Sequence, residues 1–170
     1  MAEDPRLPLV LIGPMGAGKS RIGQRVAADW GVPFVDTDQR IVDRHGPIER
    51  IFADHGEPRF RELEREVVAE AFREHAVVSL GGGAVLDPAT QADLADLPVV
   101  WLRVSPEAVA SRLVGGTRPL LASGGLAEWR RIATEREPIY AALADLDIDT
   151  SRRSVARIVA DITERFGGTR

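Results

Sequence analysis

The residues whose types and spacing best suit chemistry lie in one short stretch near the start of the chain. Four residues separate Gly13 from Gly18, and Lys19 and Ser20 follow directly. This spacing is typical of a phosphate-binding loop, in which backbone N–H groups surround phosphate oxygens, a lysine adds positive charge and a hydroxyl contacts Mg²⁺. The sequence therefore predicts a site for a nucleotide triphosphate group.

Lys19 is also unusual in the composition of the chain. The sequence has 22 basic residues, and Lys19 is the only lysine among them. A compact ammonium fits against terminal phosphates where a planar guanidinium does not. We therefore expect Lys19 to contact phosphate, and the competing interpretation is a glycine-rich turn that binds nothing.

The elements around this stretch fit a loop between a strand and a helix. The apolar residues in Leu7 to Ile12 predict a buried strand, and Ile22, Val26 and Trp30 recur at helical spacing before Gly31. Strands alternating with helices predict a parallel sheet, whose ligands lie beyond the carboxyl ends of its strands.

Two aspartates follow the second predicted strand, Val32 to Val35. Asp36 and Asp38 are then expected at the same edge of the sheet as the phosphate-binding loop. Either one could instead cap the next helix, because aspartate is a favoured N-cap residue.

Later stretches add further candidates. Pro58 opens a helix with a charged face that includes Arg61, and such a face is usually a set of solvated ion pairs. The third strand, Val77 to Leu80, leads into Gly81 to Gly83, which indicates either a close approach to the backbone or a flexible connector. Glycines on both sides of Arg118 predict a mobile lid over about residues 115–128. A helix with Trp129 precedes Pro138, and a last strand and an amphipathic helix close the chain.

The composition is typical of one globular domain. It is 44% hydrophobic and 28% charged, with no cysteine and no long apolar run. We expect a cytoplasmic protein with no membrane span, since the N-terminal residues also lack a signal-peptide pattern. A net charge of −4 argues against a nucleic-acid partner and favours a small anion near any arginine cluster.

Together the motifs resemble the shikimate kinase family, small P-loop kinases related in fold to the nucleoside monophosphate kinases. The matching motifs are GPMGAGKS at the loop, DTD at Asp36 to Asp38, FRELE at Phe60 to Glu64, SLGGG at Ser79 to Gly83, RPLL at Arg118 to Leu121, and Arg136 just before Pro138. The resemblance implies one α/β domain over residues 1–170 with the three-layer P-loop NTPase fold. Its five-stranded parallel sheet would have the order 2-3-1-4-5, with helices on both faces and a mobile lid. It also implies phosphorylation of the shikimate 3-hydroxyl by ATP with Mg²⁺, and we expect a monomer.

The resemblance also implies roles for matching residues. Those expected to bind ATP are Gly16, Ala17, Gly18, Lys19, Ser20, Arg21, Arg118 and Arg153, with Arg112 as a further candidate near the adenine. Those expected to bind shikimate are Asp38, Arg61, Gly82 and Arg136, and those expected to hold Mg²⁺ are Ser20 and, through water, Asp36. The residues assigned to catalysis are Asp38, Lys19 and Arg118.

The chain departs from the family pattern near the adenine and the lid. Arg21 replaces the usual threonine, the stretches on both sides of Arg118 are each about one residue short, and the proline often found after Arg153 is missing. Rival functions are a kinase for another hydroxylated acid such as gluconate, and a non-catalytic nucleotide-binding module. A GTP-binding switch is disfavoured because the chain has no asparagine for the guanine-reading motif.

Overall fold

The computed structural model describes residues 4–113 and 125–169. Most of the segment expected to form a lid, including Arg118, lies outside these residues. Within them, no helix is both long enough and apolar enough to cross a membrane.

The centre of the fold is a five-stranded sheet in which every neighbouring pair is parallel. The strands are β1 (Leu9–Ile12), β2 (Phe34–Asp36), β3 (Val77–Ser79), β4 (Val99–Arg103) and β5 (Leu146–Asp149). Their order is β2-β3-β1-β4-β5, and Leu11 of β1 pairs with Ser79 of β3 and Val100 of β4. This confirms the predicted sheet, although β1 begins two residues later than expected, beyond Pro8, whose nitrogen has no hydrogen to donate.

The helices are α1 (Lys19–Trp30), α2 (Thr37–His45), α3 (Ile48–Ala71), α4 (Pro88–Leu94), α5 (Pro106–Leu113), α6 (Gly125–Leu143) and α7 (Val155–Phe166), with a 3₁₀ turn at Ala84–Leu86. Helix α3 is kinked at Gly56, whose φ is 80°, so Pro58 opens its second part as the sequence predicted. Pro138 does not mark the end of a helix, because α6 continues through it to Leu143.

Alternate residues of the strands pack on opposite faces of the sheet, which gives three layers. On one face, Leu9 and Leu11 of β1 lie in a buried cluster with residues of α1 and α7. On the other face, Val10 and Ile12 lie in a cluster with residues of α3, α4 and α6. The side chains of all four β1 residues are buried, as expected for the central strand of a parallel sheet.

Candidate active site

The phosphate-binding loop joins the carboxyl end of β1 to the start of α1. Gly13, Gly16 and Gly18 have φ values of 145°, 85° and 92°, a backbone region that L side chains rarely adopt. Gly18 is the N-cap of α1, so the loop leads directly into the first turn of the helix. The N-terminus of a helix favours negative charge, and its backbone N–H groups bind phosphate readily.

Lys19 brings its charge back over this loop. Its Nζ donates hydrogen bonds to the carbonyl oxygens of Gly13, at 2.7 Å, and of Pro14, at 3.1 Å. The ammonium group and the positive end of α1 therefore lie together, and the two favour an anion at the same place.

Ser20 and Asp36, which the sequence suggested as Mg²⁺ ligands, lie within hydrogen-bond distance of each other. Ser20 Oγ donates to Asp36 Oδ2 at 2.7 Å, while Asp36 Oδ1 accepts from the backbone N–H of Gln39 at 3.1 Å. Asp36 is thus the N-cap of α2 and also lies at the edge of the sheet beside the phosphate-binding loop, the two placements that the sequence suggested. A hydroxyl beside a carboxylate fits Mg²⁺, which binds oxygen and usually takes few protein ligands. Over residues 4–113 and 125–169 there is no cluster of three or more His, Cys, Asp or Glu residues that could hold a metal ion.

Asp38 lies in the first turn of α2, against the triple glycine. A Cβ atom at Gly81 would lie 2.5 Å from Asp38 Oδ1, so the carboxylate occupies space that any side chain at position 81 would need. Burial raises the pKa of the Asp38 carboxyl, the charge of Asp36 adds to the increase, and Lys19 and Arg61 oppose it. The triple glycine is therefore closely packed against a carboxylate, not a flexible connector.

Thr37 fixes the triple glycine to the start of α2. This buried residue donates from Oγ1 to the carbonyl oxygen of Ser79 at 3.3 Å and accepts from the N–H of Gly81 at 3.1 Å. These two hydrogen bonds connect the start of α2, with the aspartates on either side of Thr37, to the end of β3.

Arg61 approaches the triple glycine from α3. A Cβ atom at Gly83 would lie 2.7 Å from both Nη atoms of Arg61. Nη1 also donates to Glu64 Oε1 at 2.6 Å, and the side chain of Glu64 is only 5% exposed. Burial raises the pKa of the Glu64 carboxyl, and the neighbouring charge of Arg61 opposes the increase. Arg61 is 30% exposed and its Nη2 also lies 3.5 Å from the exposed Glu57, so it takes part in a surface ion pair and, in addition, pairs with a buried carboxylate.

Arg136 approaches the same glycines from α6. Its Nη1 would lie 3.3 Å from a Cβ atom at Gly82. Tyr140, one turn later, donates from its hydroxyl group to the carbonyl oxygen of Gly82 at 2.9 Å. Burial raises the pKa of Tyr140, and the charge of Arg136 opposes the increase. Two guanidinium groups therefore converge on the triple glycine, which lies next to the phosphate-binding loop.

Three of the arginines expected to bind ATP differ in their surroundings. Arg153 Nη1 contacts Asp161 Oδ2 of α7 at 3.2 Å, and the side chain of Arg21 is exposed. Arg112 donates from Nη1 to the carbonyl oxygen of Gly16 at 2.7 Å and from Nη2 to that of Thr150 at 2.6 Å. Arg112 thus connects the phosphate-binding loop to the segment after β5.

Sequence reasoning did not identify Thr37, Glu64 or Tyr140 as parts of the site. For Glu64 a signal was present, because it follows Phe60 by four residues and so shares the buried face of α3. A charged residue on an apolar face is nearly always paired.

The phosphate-binding loop follows the central strand of the sheet, and a carboxylate lies beside that loop. Together with the strand order, this arrangement is that of a small P-loop kinase. The shikimate kinase family model matches residues 15–166. The chain is 46% identical to the shikimate kinase of Mycobacterium avium over 164 residues, which cover 94% of this chain and 93% of the relative. The chain therefore belongs to the shikimate kinase family.

Solved structures agree with this assignment. The shikimate kinase of Acinetobacter baumannii, in complex with shikimate, is 30% identical, with a TM-score of 0.85, and the match covers 95% of this chain and 92% of that one. A gluconokinase of Sinorhizobium meliloti is 21% identical, with a TM-score of 0.61, and covers 94% of this chain and 91% of its own. At that identity the likeness shows the fold alone, and it does not favour gluconate as the substrate.

Proposed function

We propose that this chain transfers the γ-phosphoryl group of ATP to the 3-hydroxyl of shikimate, giving shikimate 3-phosphate and ADP. The observation that carries the proposal is the convergence of Asp38, Arg61 and Arg136 on the triple glycine. Gly82 is also close to the phosphate-binding loop, since a Cβ atom there would lie 3.7 Å from the carbonyl oxygen of Gly13. A hydroxylated acid bound at these glycines would therefore face the triphosphate.

The ATP site is the loop and the first turn of α1. Backbone N–H groups from Gly16 to Arg21 and the ammonium group of Lys19 bind the phosphates. Ser20 and, through water, Asp36 would hold Mg²⁺, which would supply positive charge against the phosphate oxygens. Phosphoryl transfer depends mainly on alignment and positive charge, and Lys19 supplies part of that charge.

The acid is recognised by its carboxylate. A guanidinium fork matches a planar carboxylate with two parallel hydrogen bonds, so Arg61 and Arg136 bind this group from two helices. The N–H of Gly82 donates to a ring substituent. Glu64 keeps Arg61 directed towards the glycines, and Tyr140 keeps the Gly82 carbonyl turned away from the substrate.

Asp38 accepts the hydrogen bond of the attacking hydroxyl. Its raised pKa makes it a stronger proton acceptor than an ordinary surface aspartate, which suits a base that takes the hydroxyl proton during transfer. A positioned base of this kind contributes about 10²- to 10⁴-fold to rate.

The remaining assignments rest on family membership. Arg118 contacts the transferring phosphoryl group from a lid over about residues 115–128, and Arg153 lies along the adenine. The enzyme acts as a cytoplasmic monomer with a single domain.

The test is ADP release by the purified chain with ATP and Mg²⁺. We expect release to require shikimate and to stay at background with gluconate, nucleoside monophosphates or no acceptor, and ³¹P NMR should identify a phosphomonoester at the 3-position. Faster release with gluconate would refute the substrate. Binding of ATP without acceptor-dependent release would favour the non-catalytic module.

A further inference from the structure

Side chains from distant parts of the chain donate hydrogen bonds to carbonyl oxygens of the phosphate-binding loop. Three consecutive carbonyl oxygens of the loop each accept a hydrogen bond. The donors are Trp129 Nε1 to Met15 at 2.7 Å, Arg112 Nη1 to Gly16 at 2.7 Å, and Thr150 Oγ1 to Ala17 at 2.9 Å. We propose that Trp129, on α6, is a positioning residue that orients the Met15–Gly16 peptide so that the N–H of Gly16 faces the triphosphate. The inference rests on the proposed function, because ATP supplies that triphosphate.

The direction of this N–H group follows from the shape of the peptide. The Met15–Gly16 bond is trans, so its C=O and N–H point to opposite sides of a planar unit. Because the Met15 carbonyl is directed at the Trp129 indole, the N–H of Gly16 points away from it. The next N–H, of Ala17, donates to the carbonyl of Pro14 at 3.3 Å and closes a turn within the loop.

The anchor matters because the loop has other conformations available. Gly16 has a φ of 85°, in a region that glycine reaches about as readily as the ordinary one. Without a partner on the Met15 carbonyl, nothing in the local sequence selects the orientation that presents the N–H to phosphate. A loop held in its binding conformation loses less entropy when the ligand binds.

Packing fixes the position of the indole ring itself. Trp129 is 4% exposed and packs with the fully buried Val109 of α5 in a small cluster beside the loop. The same Val109 lies against the loop, since a Cβ atom at Gly16 would be 3.4 Å from its Cγ2. Trp129 therefore presents its single donor group from a rigid support.

The test is the Trp129→Phe variant, which keeps an aromatic ring and removes the N–H. The matched control is Trp30→Phe, because Trp30 Nε1 also donates one hydrogen bond, to Thr163 Oγ1 at 3.1 Å, at the far end of α1. We expect Trp129→Phe to raise the KM for ATP and the inhibition constant of tripolyphosphate by about 2- to 12-fold, which is the loss of one hydrogen bond worth about 0.5–1.5 kcal/mol. The KM for shikimate should stay at the value of the control.

The outcomes separate this proposal from the proposed function. If the wild-type chain binds neither ATP nor tripolyphosphate, the function itself is wrong. If the wild type binds tripolyphosphate and Trp129→Phe binds it as tightly as Trp30→Phe, only the role of Trp129 is overturned. An equal rise in the KM values for ATP and shikimate also overturns it, because a general loosening of the fold affects both substrates.

A measurement on the wild-type chain covers the case in which the variant does not fold. A phosphate that accepts a hydrogen bond from the Gly16 N–H polarises the peptide and strengthens the Met15 carbonyl as an acceptor. The indole N–H signal of Trp129 in ¹H–¹⁵N NMR should then move downfield on titration with tripolyphosphate, while those of Trp30 and Trp101 stay in place. A Trp129 signal that does not move at saturation contradicts the proposal.

Discussion

Replacement of Glu64 by glutamine separates the contribution of a buried charge to stability from its contribution to substrate binding. The Glu64 side chain is 5% exposed, and its Oε1 accepts a hydrogen bond of 2.6 Å from Arg61 Nη1. Burial raises the pKa of this carboxyl despite the opposing charge of Arg61. A raised pKa means that the folded chain favours the neutral form, so the ionised Glu64 destabilises the fold at neutral pH.

The sign of the pH dependence follows directly. The folded chain binds this proton more tightly than the unfolded chain, whose carboxyl titrates at the ordinary value near 4.5. The contribution of Glu64 to the free energy of unfolding therefore falls as pH rises from that value to the raised one, by at most about 1.4 kcal/mol per pH unit, and is constant above it. Glutamine does not titrate. We expect the Glu64→Gln variant to match the wild type in acid and to equal or exceed its stability at neutral pH.

The same substitution should weaken binding of the acid substrate. The amide oxygen of glutamine can still accept from Arg61, but a hydrogen bond to a charged acceptor is worth about 1.5–3 kcal/mol against about 0.5–1.5 kcal/mol for a neutral one. A difference of about 1 kcal/mol corresponds to about a fivefold rise in the KM for shikimate. The KM for ATP should not change, because Glu64 contacts no part of the phosphate-binding loop in the structure described here.

Urea unfolding across the acid range and steady-state kinetics measure the two effects. The control is Glu62→Gln on the same helix, since Glu62 is 64% exposed and pairs with the exposed Arg59 at 2.9 Å. Exposed pairs contribute little, so this variant should resemble the wild type in both assays. A Glu64→Gln chain that is clearly less stable than the wild type at neutral pH would refute the account of the buried charge. An equal rise in both KM values would refute the role given to Arg61.

Three further substitutions address the proposed reaction. Asp38→Asn should keep ATP affinity and lower kcat by about 10²-fold or more, and near wild-type turnover in a coupled ADP assay would contradict its role as acceptor of the hydroxyl proton. Lys19→Arg should also lose most turnover despite the retained charge, because a guanidinium group does not fit where the ammonium contacts Gly13 and Pro14; full activity would show that charge alone suffices. Arg136→Ala should raise the KM for shikimate by 10-fold or more with little change in the KM for ATP, as expected for the loss of a charge-assisted hydrogen bond, and equal effects on both would argue against a carboxylate clamp.

The parts of the fold that the sequence predicted are those determined by short stretches. The apolar strand, the glycine loop and the helix that follows need only neighbouring residues, and the structure has them as β1, the loop and α1. The alternation of strands and helices then leaves few topologies for a parallel sheet. The proximity of Ser20 and Asp36 was predictable for the same reason, since Asp36 ends β2, Ser20 follows the loop after β1, and parallel strands end at one edge of the sheet.

Predictions failed where tertiary packing outweighs a local preference. Proline inside a helix costs about 3 kcal/mol or more, and Pro138 therefore suggested a boundary. In the structure α6 continues through Pro138. Trp129, which precedes this proline in the helix, and Tyr140, which follows it, are both buried. Burial of two such side chains contributes enough to offset the proline, and both also bond to backbone carbonyls of the site. The helix is thus held by the same contacts that fix the loop and the triple glycine.

Contacts between residues distant in sequence produce no sequence pattern from which they can be predicted. Arg112 and Gly16 are 96 residues apart, and Trp129 and Met15 are 114 apart. Each donor side chain lies on a helix whose hydrophobic pattern already accounts for it as a core or surface residue. Each acceptor is a backbone carbonyl, which every residue has. A motif shows that the loop can bind phosphate, but the conformation in which it does so is selected from outside the motif. Variants of Trp129 should therefore change ATP affinity although every residue of the phosphate-binding loop is intact.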